Sequence, residues 1–238
     1  MRKSARARLL LGLAATLMGI CCLPGLAGCA PAGSVIIDWV DFIKFDGITY
    51  LARFDHTGRP LQESDLGPIF AKVQFRLDGN VHDLHYQSRD GDAAFLDAGT
   101  PVYTVNGYKP QFRLAAHQDG SIVLYEADTN PKARHGADLL DIGGKVQYIG
   151  INSGQDGITE LGAVKDPQQV AALVAMVLKA PVDQNPQNQA GPTYFIAFHL
   201  NDATTITRAY ETQSRELSRG IMVPEEFEVA VEQALQKK

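Results

Sequence analysis

The chain has 238 residues, 45% apolar and 21% charged, with 22 Gly and 12 Pro. That composition excludes collagen-like repeats and bulk disorder and leaves room for one or two domains. With 22 basic against 27 acidic side chains, it also argues against a nucleic-acid partner, whose affinity comes from neutralised phosphates.

The charge is unevenly spread. Arg2, Lys3, Arg6 and Arg8 lie in the first 28 residues, which hold no acid. Beyond them, 18 of the 22 bases remain against all 27 acids. So acidic a body is repelled by an anionic membrane surface unless something anchors it there. An apolar run from Leu9 to Leu23 follows the basic stretch. As a helix it would be roughly 22 Å long, short of the ~30 Å hydrocarbon core. The pattern is that of a cleavable signal peptide over residues 1–28.

Leu26-Ala27-Gly28-Cys29 follows. These four residues, behind that leader, resemble the lipobox of bacterial lipoproteins. The resemblance covers residues 1–29. It implies cleavage between Gly28 and Cys29 and acylation of Cys29 with diacylglycerol and fatty acid such as palmitate. Two acyl chains suffice for stable anchoring in a lipid bilayer. Residue 30 is Ala rather than Asp, which by resemblance to Gram-negative sorting would not retain the protein at an inner membrane. Cys21 and Cys22 lie in the leader, and no cysteine follows Cys29. The body therefore has no disulfide and no thiol ligand or nucleophile.

Residues 29–34 read as the lipidated cysteine and a short tether, Ala30 to Ser34, which even fully extended reaches roughly 17 Å. From residue 35 to 128 the chain reads as β. Val35 to Phe45 and Ile48 to Phe54 flank Asp46-Gly47, a strong hairpin signal. Ile69 to Leu77 alternates, with Ile69, Ala71, Val73, Phe75 and Leu77 predicted on one face. Ala93 to Leu96 and Pro101 to Val105 are short strand candidates. Gln111 to Ala116 and Ser121 to Ala127 flank a second Asp-Gly turn at Asp119-Gly120. Such short strands with frequent turns suggest a small barrel or sandwich. Gln74-Phe75-Arg76-Leu77 recurs as Gln111-Phe112-Arg113-Leu114, a faint internal echo.

Residues 128–137 read as a connector and 138–238 as a second region. Lys145 to Ile151 is a strand candidate. Asp166-Pro167 marks a helix start, with Val170, Leu173, Val174, Val177 and Leu178 on one face. Residues 181–192, rich in Gln and Asn, predict a mobile surface loop. Thr193 to Leu200 and Thr204 to Glu211 form a third hairpin about Asn201-Asp202. Pro224 opens a last helix whose face is Phe227, Ala230, Val231, Ala234 and Leu235. The expected fold class is α+β: a β-rich barrel or sandwich, then an antiparallel sheet with two helices.

Chemistry-bearing residues are sparse. The chain has no G-x-S-x-G, no H-E-x-x-H and no P-loop. His82 and His85 would share a face on a helix and could grip a metal, but Gly79 and Asn80 place them in a loop. Asp90, Asp92 and Asp97 could offer oxygen ligands to Ca²⁺ or act as an acid/base pair. Equally, Asp and Gly simply favour turns. Tyr103, Tyr108 and Phe112 could form an exposed sugar- or protein-binding patch or fill a core. His199, with Arg208 and Tyr210 across the hairpin, is a further candidate site. No cofactor is called for.

The stretch from Gly91-Asp92-Ala93-Ala94-Phe95-Leu96 through Gly107-Tyr108 faintly resembles uncharacterised lipoproteins of Gram-positive bacilli, which implies no activity. The sequence thus predicts an extracytoplasmic protein, lipid-anchored to the bacterial cell membrane. It would act as a binding or scaffolding module of the cell envelope, with an envelope protein or cell-wall polymer as partner. A metal-dependent envelope hydrolase and a solute-binding lipoprotein are the alternatives.

Overall fold

A computed structural model describes residues 37–53, 59–185 and 193–236. Gly28 and Cys29 lie outside these residues, as does the part of the predicted Gln/Asn loop from 186 to 192. Residues 181–185 at its start are held by isolated bridges of Pro181 to His135 and Val182 to Ile221.

The first sheet has eight strands. They are β1 (Phe42–Phe45), β2 (Ile48–Arg53), β3 (Leu66–Lys72), β4 (Phe75–Arg76), β5 (Asp92–Ala93), β6 (Pro101–Val105), β7 (Arg113–Gln118) and β8 (Ser121–Thr129). Their order in the sheet is β3-β6-β7-β8-β2-β1-β5-β4. Both predicted Asp-Gly turns form. Asp46 and Gly47 have φ of 53° and 78°, and Asp119 and Gly120 have 50° and 78°. Left-handed geometry at both central residues is the twist a two-residue hairpin needs.

The two edges of this sheet belong to one stretch of chain. The Val73 amide donates to Thr100 O, continuing the β3–β6 pairing, and the next amide, of Gln74, donates to Gly91 O. Partner exchange within one residue curls the sheet into a barrel. Gly91 sits at this seam with φ of 91°, and a side chain there would meet Gln74 at 2.6 Å. The seam also corrects the predicted run from Ile69 to Leu77. The chain bends, so Val73 and Leu77 are buried while Ile69 and Phe75 face solvent. A barrel core fills the interior, with Ile43, Tyr50, Leu114 and Tyr125 among its fully buried members.

The second sheet is antiparallel, in the order β10-β9-β11-β12-β13-β14. Its strands are β9 (Val146–Ser153), β10 (Glu160–Val164), β11 (Tyr194–Leu200), β12 (Thr205–Glu211), β13 (Glu216–Leu217) and β14 (Ile221–Met222). The alternation in β11 puts Ile196, Phe198 and Leu200 into the core. Helix α1 (Pro167–Lys179) starts where expected, because Asp166 Oδ1 accepts the amides of Gln168 and Gln169. It packs on β9 through Val170, Leu173, Val174 and Val177. Helix α2 (Glu225–Gln236) packs on β10 and β9, with Phe227, Val231 and Ala234 buried. The fold is therefore α+β: a curled eight-stranded sheet and a six-stranded antiparallel sheet carrying two helices. Barrel and sheet lie within one compact unit, residues 35–238.

Candidate anion-binding site

The two sheets meet across charge. On neighbouring barrel strands Arg113 pairs with Glu126, its Nη2 donating to Glu126 Oε1 at 2.7 Å and its Nε to the same oxygen at 3.1 Å. Its Nη1 crosses to Thr204 Oγ1, just before β12 of the second sheet, at 3.0 Å. From that sheet Arg208 Nη1 donates to Glu126 Oε2 at 3.3 Å. Arg53, at the end of β2, places Nε 3.3 Å from the same oxygen. One carboxylate thus serves three guanidinium groups.

Burial opposes the charge on Glu126, but the pull of Arg113, Arg208 and Arg53 outweighs it and lowers its pKa. Arg208 is shifted the other way. Burial lowers its pKa, Glu126 supports its charge, and Arg53 repels it. Its Nη2 is buried and finds no hydrogen-bond partner.

A cavity of about 390 Å³ opens over this junction, lined among others by Leu51, Arg53, Asp128, Phe195, Arg208 and Arg219. That volume lies in the range of small-ligand sites. Arg219 stands on the β13–β14 turn, where Ser218, Arg219 and Gly220 all have positive φ. Its Nε donates to Asp128 Oδ1 at 2.8 Å, and its Nη2 lies 2.6 Å from that oxygen. The walls therefore carry three guanidinium groups and one carboxylate, while Arg113 balances Glu126 behind them. The cavity can hold an anion.

A second polar contact joins the sheets beside this junction. Tyr108 donates to Asp202 Oδ2 at 2.6 Å, and its ring lies 4.4 Å below the Arg113 guanidinium. Burial, then the bond to Asp202, raises the Tyr108 pKa.

The residues singled out from sequence lie elsewhere and do different work. His82 and His85 are exposed in a segment without helix or strand. Asp90 accepts the Gly47 amide at 2.8 Å and pins the first hairpin. Asp92 is buried and accepts from Tyr86 Oη at 2.9 Å and the Arg89 amide at 2.7 Å. Asp97 is exposed and pairs with Arg76 at 3.0 Å. The Asp90-Gly91-Asp92 turn is thus part of the barrel seam. Among the described residues, no group of three or more His, Asp or Glu could hold a metal ion. The three aromatics do not form one exposed patch either. Phe112 is in the core, Tyr108 is at the junction, and Tyr103 meets His117 edge to face.

His199, Arg208 and Tyr210 are not brought together. Tyr210 packs edge to face on Phe227 in the core. His199 stacks on Tyr148, ring centroids 4.0 Å apart, with Nδ1 3.1 Å from Thr205 Oγ1. Sequence reasoning reached Arg208 but missed Arg53, Glu126 and Arg219. For Arg53 and Glu126 the local signal was a charge inside a strand-like run, where burial demands a partner; Arg219, on a turn, carried none.

No family model matches the chain, and no curated protein or solved structure does.

Proposed function

We propose that this chain is a lipid-anchored binding module on the extracytoplasmic side of a bacterial cell membrane, with the barrel–sheet cavity as its ligand site. The observation that carries the anchored reading is Leu26-Ala27-Gly28-Cys29 behind a basic and then apolar leader. Residue 37, eight positions after Cys29, already packs on the hydrophobic cluster around Phe42, Leu77 and Val81. Eight residues reach at most roughly 28 Å, so the body stays close to the bilayer. Among the described residues no helix is long and apolar enough to cross a membrane. The acylated Cys29 is then what holds this acidic body at the surface, where an envelope protein or wall polymer is within reach.

The test is expression of the full chain in a bacterium with labelled palmitate, followed by fractionation. The expected result is label on the protein and residence in the membrane fraction. Cys29→Ala should abolish the label and release the chain from that fraction. An unlabelled wild-type chain recovered with soluble proteins would overturn the reading.

A further inference from the structure

We propose that the cavity framed by Arg53, Arg208 and Arg219 binds the phosphoryl group of a small phosphomonoester. This names the ligand class of the cleft assigned above and rests on the reading of the chain as a binding module.

Charge is the first argument. The protein is acidic as a whole, yet three guanidinium groups and one carboxylate line this cavity. Asp128 neutralises Arg219, Glu126 is shared by Arg113, Arg208 and Arg53, and Asp202 lies 3.9 Å from Arg113. Four guanidinium groups thus stand against three carboxylates, and the junction keeps a net positive charge. A phosphomonoester carries close to two negative charges at neutral pH and three acceptor oxygens. Guanidinium forks match those oxygens in geometry as well as charge.

Placement is the second argument. Arg53 and Arg219 have side chains 29% and 51% exposed and can meet a ligand directly. Arg208 is 6% exposed and lies in the floor, adding charge from a poorly screened position. Its unpartnered Nη2 is a buried donor of a charged group, which is costly to leave without a counterpart. Arg219 is also held at φ 62° between two further left-handed residues. Such backbone strain concentrates at ligand sites. Leu51 and Phe195 add apolar wall beside the charges, suited to the organic part of an ester.

The experiment is calorimetric titration of the full chain in detergent at fixed ionic strength. The probes are inorganic phosphate, phenyl phosphate, acetate and succinate. Saturable binding of both phosphates is expected, with phenyl phosphate tighter because of the apolar wall. Arg53→Gln and Arg219→Gln should each weaken it roughly 10- to 100-fold. Lys179→Gln, on the exposed side of α1, should leave it unchanged. Circular dichroism of each variant separates lost binding from lost fold. Equal binding of the two phosphates would support the charge site and assign it to free phosphate. Binding of succinate or acetate alone, with the same arginine dependence, would overturn the phosphoryl proposal and leave the cleft a ligand site. Absence of any saturable binding, or arginine variants that bind like wild type, would overturn the proposal altogether. The palmitate experiment judges the anchored reading independently.

Discussion

Arg113 and Glu126 face each other across two barrel strands, each with a side chain only 1% exposed, and hold their charges 2.7 Å apart. This pair stands where the barrel meets the second sheet. Arg113 reaches on to Thr204, and Arg208 reaches back to Glu126. The contact between the two sheets is therefore directional and polar at this point.

Glu126→Gln should be strongly destabilising. It preserves shape but leaves Arg113, Arg208 and Arg53 without their shared carboxylate. Breaking a buried pair from one side costs about 3–5 kcal/mol. Urea unfolding followed by circular dichroism measures it, and a loss under 1 kcal/mol would show that the arginines are balanced otherwise. The same carboxylate has a pKa held below its usual 4.5. Its stabilisation is complete above that unfolded value and is lost as pH falls through the lower folded one.

His199 makes a second acid-sensitive point. Burial holds its pKa below the ordinary 6.5, against the opposing pull of Glu160. As pH falls the unfolded chain takes up that proton first, so folding is favoured above about pH 6.5 and weakened below it. Tyr148 stacks on the ring and Lys165 lies over Tyr148, so the surroundings offer a protonated imidazole little beyond Glu160. Melting temperature should fall between pH 7.5 and 5.5, and less steeply in His199→Gln. Identical slopes in the two proteins would remove His199 from the account.

The barrel seam should be intolerant of a single methyl group. Gly91→Ala forces a left-handed φ on alanine and drives its Cβ into Gln74. Together these should cost roughly 2–5 kcal/mol. The expected readout is a lower urea midpoint with an unchanged slope. A neutral result would mean that the chain does not exchange partners here.

Asp166→Ala should remove the cap of α1 and nothing else. Two amides lose their acceptor, at a cost of about 1 kcal/mol. Asp166→Asn should recover most of it, and chemical denaturation of the three proteins checks the order.

The local devices of this fold are written in the sequence. Asp46-Gly47 and Asp119-Gly120 turn hairpins because Asp and Gly accept positive φ. Asp166-Pro167 opens a helix because both residues suit its first turn. Alternation in β11 and the 3.6-residue spacing in α1 name the buried faces. Each of these signals acts over fewer than about ten residues, and together they fixed the fold class. The strands β10, β13 and β14 carried no such pattern and emerged only by pairing with neighbours.

Tertiary structure decided the rest. The run Gln74-Phe75-Arg76-Leu77 and its echo Gln111-Phe112-Arg113-Leu114 read alike, yet Arg76 is partly exposed and Arg113 is fully buried at the junction. The aspartates around Gly91 looked like ligands and became hydrogen-bond acceptors of a seam: the Gly47 amide of the first hairpin reaches Asp90, and a local turn brings the Arg89 amide and Tyr86 to Asp92. The cavity collects Arg53, Asp128, and Arg208 with Arg219 from three distant parts of the chain. No periodicity links such positions. Their meeting depends on how the barrel docks on the second sheet, and burial then turns separate surface-type residues into one charged site.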